Sequence, residues 1–309
     1  MTEPRKVQSR LGYDEAGQRM QAQRDTNPMA LARRQVVEVQ GYLEQKLPQL
    51  ERWITGGIDP RAIVRFALLD MSAPKADKLR ACARESIYLG LLACAVAGLE
   101  PGSLKGHAYL VPFAGKAQYM AGWKGYVVQA RRSREVVQLT PNLIYENDDF
   151  DPDLGSGMPP RHKVNLRAPR GEIIGAYAVA KLVGSRDTVV SYEIELLDRD
   201  AIDKRRRLAT SRGESDAWKN WPEAMIRKMP VRSIASRLPM GADYHKGVSI
   251  EQAQLDGRSG VDELDAFTDG EASRAEQAAE LSASMRAQVD GEMTQEEKEE
   301  ILRTEAQRK

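Results

Sequence analysis

Two runs of this sequence interleave cations with flat rings. The first holds Lys105, His107, Tyr109, Lys116, Tyr119, Trp123, Lys124, Tyr126, Arg131, Arg132 and Arg134. The second holds Lys204, Arg205, Arg206, Arg207, Arg212, Trp218, Lys219, Trp221, Arg227, Lys228, Arg232 and Arg237. Single-stranded nucleic acid needs this combination, cations for the phosphates and rings for stacking, and each stacked base is worth about 1–3 kcal/mol whatever its identity. Each residue also has a plainer reading. An isolated Trp usually belongs to a core, so Trp123 and Trp218 suit the interior as well as stacking. Tyr109 lies in an alternating strand pattern that suits either side. Lys204 to Arg207 cover every face of a helix, and Asp200 and Asp203 stand at helical spacing to neutralise part of the run. Arg227 and Lys228 are adjacent and cannot point the same way.

A different chemistry is suggested by Glu146-Asn147-Asp148-Asp149-Phe150-Asp151-Pro152-Asp153. Carboxylates at this density could hold Mg²⁺ in a metal-dependent nuclease, with Glu146, Asp148 and Asp149 as ligands. Asp149, Asp151 and Asp153 alternate like the start of an EF-hand loop. The match then fails, because the glycine comes one position late, at Gly155, and the twelfth position is Pro160. The alternative is a solvated acidic loop. Other catalytic patterns are missing. No G-x-x-x-x-G-K-[ST] occurs, since Gly115-Lys116 is followed by Ala117, and no G-x-G-x-x-G follows a strand. The three histidines are far apart, Cys82 and Cys94 lack zinc spacing, and there is no G-x-S-x-G elbow. The expectation is a protein that is not an enzyme, has no catalytic residues and uses no ATP.

The elements that must position these residues follow from pattern. A helix starts at Met29, with Leu31, Val36, Val39, Leu43 and Leu47 near helical spacing, and Pro48 should end it. Asp59-Pro60 reads as an N-cap and first helical position. A third helix should run from about Ala76 to Ala97, with Gly98 as its left-handed cap. Short strands around Ala114-Gly115 come next, then a short helix with a basic end and a strand from Val136 to Tyr145. Residues 146–171 read as one long loop. Strands flank a hairpin turn at 184–187, Asp198 caps a helix, and a last core helix, irregular at Pro222 and Pro230, ends near 240. The fold class is α+β, a small curved antiparallel sheet packed with helices.

Charge divides the 309 residues more sharply than the net of +1 suggests. Residues 101–240 carry 23 Lys/Arg against 16 Asp/Glu, and residues 241–309 carry 8 against 17. A basic middle and an acidic end fit a polyanion partner, or equally a solvated surface with an acidic solubility tail. The expected organisation is a disordered segment at 1–28, a core at 29–240, and an acidic linker and tail at 241–309. Within the tail, 250–271 reads as linker. Its acidity repels DNA, so its removal is expected to preserve or raise affinity. The first thirty residues lack an apolar signal region, and no run of ~18 apolar residues occurs. With two cysteines that read as buried hydrophobes, the expectation is a cytoplasmic protein with no membrane partner.

Several segments resemble, in order, the signature of RecT-family single-strand annealing proteins of the phage RecT/Redβ type. They are Gly98-Leu99-Glu100-Pro101-Gly102-Ser103, Gly106 to Phe113, Gly122-Trp123-Lys124-Gly125, Ala130-Arg131-Arg132-Ser133, Tyr145 to Phe150 and Tyr177 to Leu182. Trp218, Met225, Lys228, Arg232 and Leu238-Pro239 follow. The likeness spans roughly 30–240. The sequence departs from the family pattern at Lys105, Pro230, Ser233 and Ser236. The resemblance implies ATP-independent annealing of single-stranded DNA through a duplex intermediate, by a homo-oligomeric ring or helical filament. It also implies a partner phage exonuclease and a host single-strand binding protein, in the bacterial cytoplasm during phage recombination. No cofactor is required, with Mg²⁺ a modulator at most. Carried onto this chain, Trp123, Lys124, Arg131, Arg132, Lys228 and Arg232 are the leading DNA contacts. Lys105, His107, Lys116, Tyr119, Arg161, Lys181, Arg205, Arg206, Arg207, Trp218 and Arg227 complete the candidate set. Residues 29–98 are expected to supply subunit contacts. The rival readings are the nuclease and a DNA-end scaffold protein.

Overall fold

The computed structural model describes residues 28–184, 189–211, 213, 216–256 and 258. The expected disordered start, nearly all of the turn at 184–187 and most of the tail lie outside the described residues. The described part is α+β, as expected, and nearly all of it belongs to one compact unit ending at Gly257.

Helix α1 (Pro28–Glu51) runs through Pro48 rather than ending there. Pro48 sits in the last turn and gives up only the one bond its own N–H would make, while Leu50, 2% exposed, anchors that turn in the core. Helix α2 (Pro60–Met71) starts as its residues require: the Asp59 carboxylate accepts the Arg61 N–H, with Pro60 in the first turn. The single helix expected over 76–97 is two helices, α3 (Asp77–Arg80) and α4 (Arg84–Val96). Ala83 breaks the run with extended backbone, its N–H donating to the Gly115 carbonyl 3.1 Å away. Local pattern cannot report that long-range bond. Gly98 has the expected left-handed backbone, φ +62°.

Strands β1 (Ala108–Phe113) and β2 (Lys116–Ala121) form a hairpin closed by Ala114 and Gly115, both at positive φ, the tight turn that matches strand twist. Helix α5 (Trp123–Arg132) leads into β3 (Val136–Tyr145). The segment read as one loop folds back as β4 (Asp149–Asp151) against β5 (Arg161–Lys163). Strands β6 (Ile173–Val183) and β7 (Val189–Asp198) complete a three-stranded antiparallel sheet in the order β3-β6-β7. Asp198 caps α6 (Arg199–Ala209) by accepting the Ala201 N–H. Helix α7 (Asp216–Asn220) precedes α8 (Pro222–Ala235).

Alternate residues of β6, Ala176, Ala178 and Ala180, are fully buried, so α8 packs closely on the sheet. Leu143, Leu197, Ile202, Trp218 and Ile226 fill the same core. Pro222 opens α8 instead of interrupting it. Pro230 lies inside the helix, which continues past it, because Val231, Ile234 and Ala235 are fully buried against the sheet and outweigh one lost backbone bond.

The boundary drawn at 240 moves. Helix α9 (Ala242–Leu255) packs on α4, α5 and β2, with Tyr244, Ile250 and Ala253 buried. The expected linker therefore begins inside a core helix. The signal was present: Tyr244, Gly247, Ile250 and Ala253 recur every three residues. Surrounding polar residues masked it. No helix among the described residues is long and apolar enough to cross a membrane.

Candidate nucleic-acid interface

Helix α5 carries the best-placed cations, and its glycines explain how. A Cβ at Gly122 would overlap the Gly106 carbonyl oxygen, and one at Gly125 the His107 carbonyl oxygen. Side-chain-free positions thus let the first turn of α5 rest on the 106–107 backbone. Gly122 N–H donates to His107 O at 2.8 Å. Lys124 is exposed, its Nζ 5.9 Å from the centre of the half-buried Trp123 ring. Arg131, also exposed, comes seven residues later. Two helical turns put both on one face, roughly 10.5 Å apart along the axis. Neither has a salt bridge or side-chain hydrogen bond among the described residues. Lys116 stands exposed at the hairpin end, and Lys181 is half-exposed on the face of β6 opposite its buried alanines. Arg207 is exposed on α6, one turn from exposed Lys204.

The other candidates are engaged within the chain or enclosed by it. Lys228 is 8% exposed, and its ammonium donates to Glu251 of α9 at 2.6 Å. Glu251 also accepts from Tyr126 Oη at 3.2 Å, and Arg232 lies 3.9 Å from it. Burial pulls the Lys228 pKa down, against the pull of Glu251. Burial alone would raise the Glu251 pKa, but Lys228 and Arg232 hold it below its usual value. Lys228 thus ends on a carboxylate of α9 inside the fold. Arg132 donates to Asp243 of α9 at 2.6 Å and to Gly98 O at 2.5 Å, so it staples α9 to the end of α4. Tyr119, 2% exposed, and Trp218, 4% exposed, are core residues and offer no face to a base.

Lys105 pairs with Glu100 and lies over the Phe66 ring. Burial lowers the His107 pKa, which disfavours its charged form at neutral pH. Arg205 lies 4.0 Å from Glu195, with its Nη1 buried and without a hydrogen bond. Arg206 lies over the Trp218 ring at 5.4 Å, and Arg227 pairs with Glu223 at 2.9 Å. Arg161 lies within 4 Å of both Asp149 and Asp151 on the exposed β4–β5 hairpin.

The carboxylate run is also reassigned. Asp148 accepts from Arg170 at 2.6 and 2.9 Å and from the Tyr145 N–H at 2.9 Å, with His162 Nε2 at 3.0 Å. Glu146 instead accepts the Glu172 N–H, and Asp149 faces Arg161. The three proposed ligands do not converge, and among the described residues no group of three or more His, Cys, Asp or Glu is placed to hold a metal. Asp148 is a latch that fastens the β4–β5 hairpin to the sheet. The hydrogen bonds from Arg170 hold its pKa well below the ordinary 3.8. A depressed carboxylate stabilises the fold above its unfolded pKa, and that contribution is lost as pH falls through and below 3.8. Asp148→Asn is expected to cost about 2 kcal/mol at pH 7, with the gap to the parent closing as pH drops toward 3. Urea unfolding across that range measures it, and a gap independent of pH would refute the latch.

Glu251 escaped sequence reasoning, because it sits in a stretch read as linker. Trp221, 68% exposed, stands in the second run of cations and rings but outside the candidate set, which holds its buried neighbour Trp218 instead.

Comparison with known proteins gives two matches. A model of the RecT family matches residues 65–263, more than half of the chain and including α9. Protein RecT of Escherichia coli (strain K12) is 28% identical over 221 residues, which covers 68% of this chain and 77% of that protein.

Proposed function

This chain belongs to the RecT family, and on that premise we propose that it anneals complementary single strands during phage recombination without hydrolysing a nucleotide. At the coarser level it is a recombination protein of the single-strand annealing type. The observation that carries the finer reading is the exposed Lys124 and Arg131, without a salt bridge among the described residues, on one face of a helix whose two ends bear the family motifs.

Annealing needs no covalent step. The protein must neutralise two repelling backbones and leave the bases free to pair. Base pairing then supplies specificity, and Lys/Arg contacts to phosphate supply affinity. A ring or filament adds avidity along the strand. Mg²⁺ acts only by screening phosphates, and the bacterial cytoplasm, a phage exonuclease and the host single-strand binding protein form the working context.

The deciding experiment mixes two labelled complementary oligonucleotides with the protein, with and without ATP and EDTA. Duplex should form at equal rates with and without ATP, and should still form in EDTA. Degradation of the label would replace this reading with the nuclease. The contact set is tested by salt dependence, since each phosphate contact to a single strand adds about −0.7 to the slope of log K against log salt. Lys124→Ala with Arg131→Ala should flatten the slope by about 1.4 and leave the thermal midpoint unchanged. An unchanged slope would remove these two residues from the interface.

A further inference from the structure

Trp218 and Trp221 lie three residues apart, yet Trp218 is 4% exposed and Trp221 is 68% exposed. An indole this large is seldom left in water without a partner. The backbone around Trp221 is fixed on both sides. Its N–H donates to Ala217 O at 2.9 Å, and its carbonyl accepts the Met225 N–H at 3.1 Å. Pro222 follows as the first residue of α8, and Trp218 anchors the preceding turn in the core. The ring is thus presented from a rigid corner, with little ordering left to do on binding.

The surroundings identify the partner. Its exposed neighbours in sequence among the described residues are Asp216, Lys219, Asn220, Pro222 and Glu223, with no second large apolar side chain among them. A docking hot spot for a protein would sit among apolar residues. Both acids are already neutralised. Asp216 pairs with Lys78 at 2.8 Å, and Glu223 pairs with Arg227 and accepts from Tyr145 Oη at 3.1 Å. Lys219 is exposed and has no salt bridge among the described residues. An exposed flat ring two residues from an exposed cation, with Asp216 and Glu223 both paired, fits a nucleobase and its phosphate.

We propose that Trp221 is a base-stacking platform for single-stranded DNA, with Lys219 meeting an adjoining phosphate. The proposal rests on the annealing reading and adds a contact that lies outside α5.

The test uses the full chain with oligo(dT) as probe. Trp221→Ala should weaken binding about 5- to 150-fold, the range for loss of one stacked base. Trp221→Phe should recover most of the affinity. Stacking releases no counterions, so the salt slope should stay constant in both variants, whereas Lys219→Ala should flatten it by about 0.7. Oligo(dT) should quench the intrinsic fluorescence of the parent, and Trp221→Phe should lose most of that quenching. Unchanged affinity in Trp221→Ala, or full quenching in Trp221→Phe, overturns the proposal. So does a loss of self-association with DNA affinity intact, which would make the tryptophan a protein contact. If the parent itself fails to bind oligo(dT) at low salt, the annealing reading fails first, and that result is distinct from a failure of Trp221 alone.

Discussion

Ending the chain after residue 240 is expected to destroy the cooperative fold, whereas ending it after residue 258 should preserve both fold and DNA binding. The first cut removes α9 and, with it, Glu251 from Lys228 and Asp243 from Arg132. It also exposes the surface that Tyr244, Ile250 and Ala253 cover. An uncompensated buried charge costs about 3–5 kcal/mol, and each large apolar side chain returned to water about 1.5–3 kcal/mol. A domain of this size has a total stability of only about 5–15 kcal/mol. The sum reaches that range, so the shorter fragment should lack a thermal transition. Circular dichroism melting of the two fragments decides it. A cooperative melt of the 240-residue fragment close to that of the full chain would show that α9 is an appendage. This expectation differs from the one charge alone suggested, that residues 241–309 could be shed with affinity kept or raised.

The second large effect concerns one carboxylate. Glu251→Gln should destabilise the protein by about 3–5 kcal/mol at pH 7, because Lys228 is left in the interior without its carboxylate partner. Lys228→Ala should be costly for the matching reason, through stability rather than through any phosphate contact. Replacing both, as Lys228→Met with Glu251→Leu, should recover most of the loss, since a buried pair exchanged for apolar groups of similar volume is often neutral or better. Urea unfolding of the three variants forms the cycle. If Glu251→Gln costs under about 1 kcal/mol, the pair is solvated rather than buried. The pH dependence adds a check. Glu251 is held below its ordinary 4.5 in the fold, so its contribution is present above that value and fades as pH falls through it. The parent should therefore lose stability in acid faster than the double variant does.

Much of this was legible before any coordinates. The Asp59-Pro60 start of α2, the left-handed Gly98, the hairpin turn at Ala114-Gly115 and the Asp198 cap are local arrangements, set by a few neighbouring residues. The family signature was readable for the same reason, since Gly122 and Gly125 stand where a backbone passes too close for a Cβ. The split at Ala83, the continuation of α8 past Pro230 and the membership of α9 in the core were not readable in this way. Each depends on a bond or a contact to a distant segment.

The sequence by itself determined the α+β class, the family and a surplus of cations between residues 101 and 240. It could not rank those cations, because a lysine has the same letter whether it faces water or a buried carboxylate. Tertiary structure made that choice. It placed Glu251 against Lys228 and Asp243 against Arg132, buried Trp218, and left Lys124, Arg131 and Trp221 outside. The physical reason is desolvation: a charge taken from water must find its partner within the fold, and only the assembled chain shows which charges have done so.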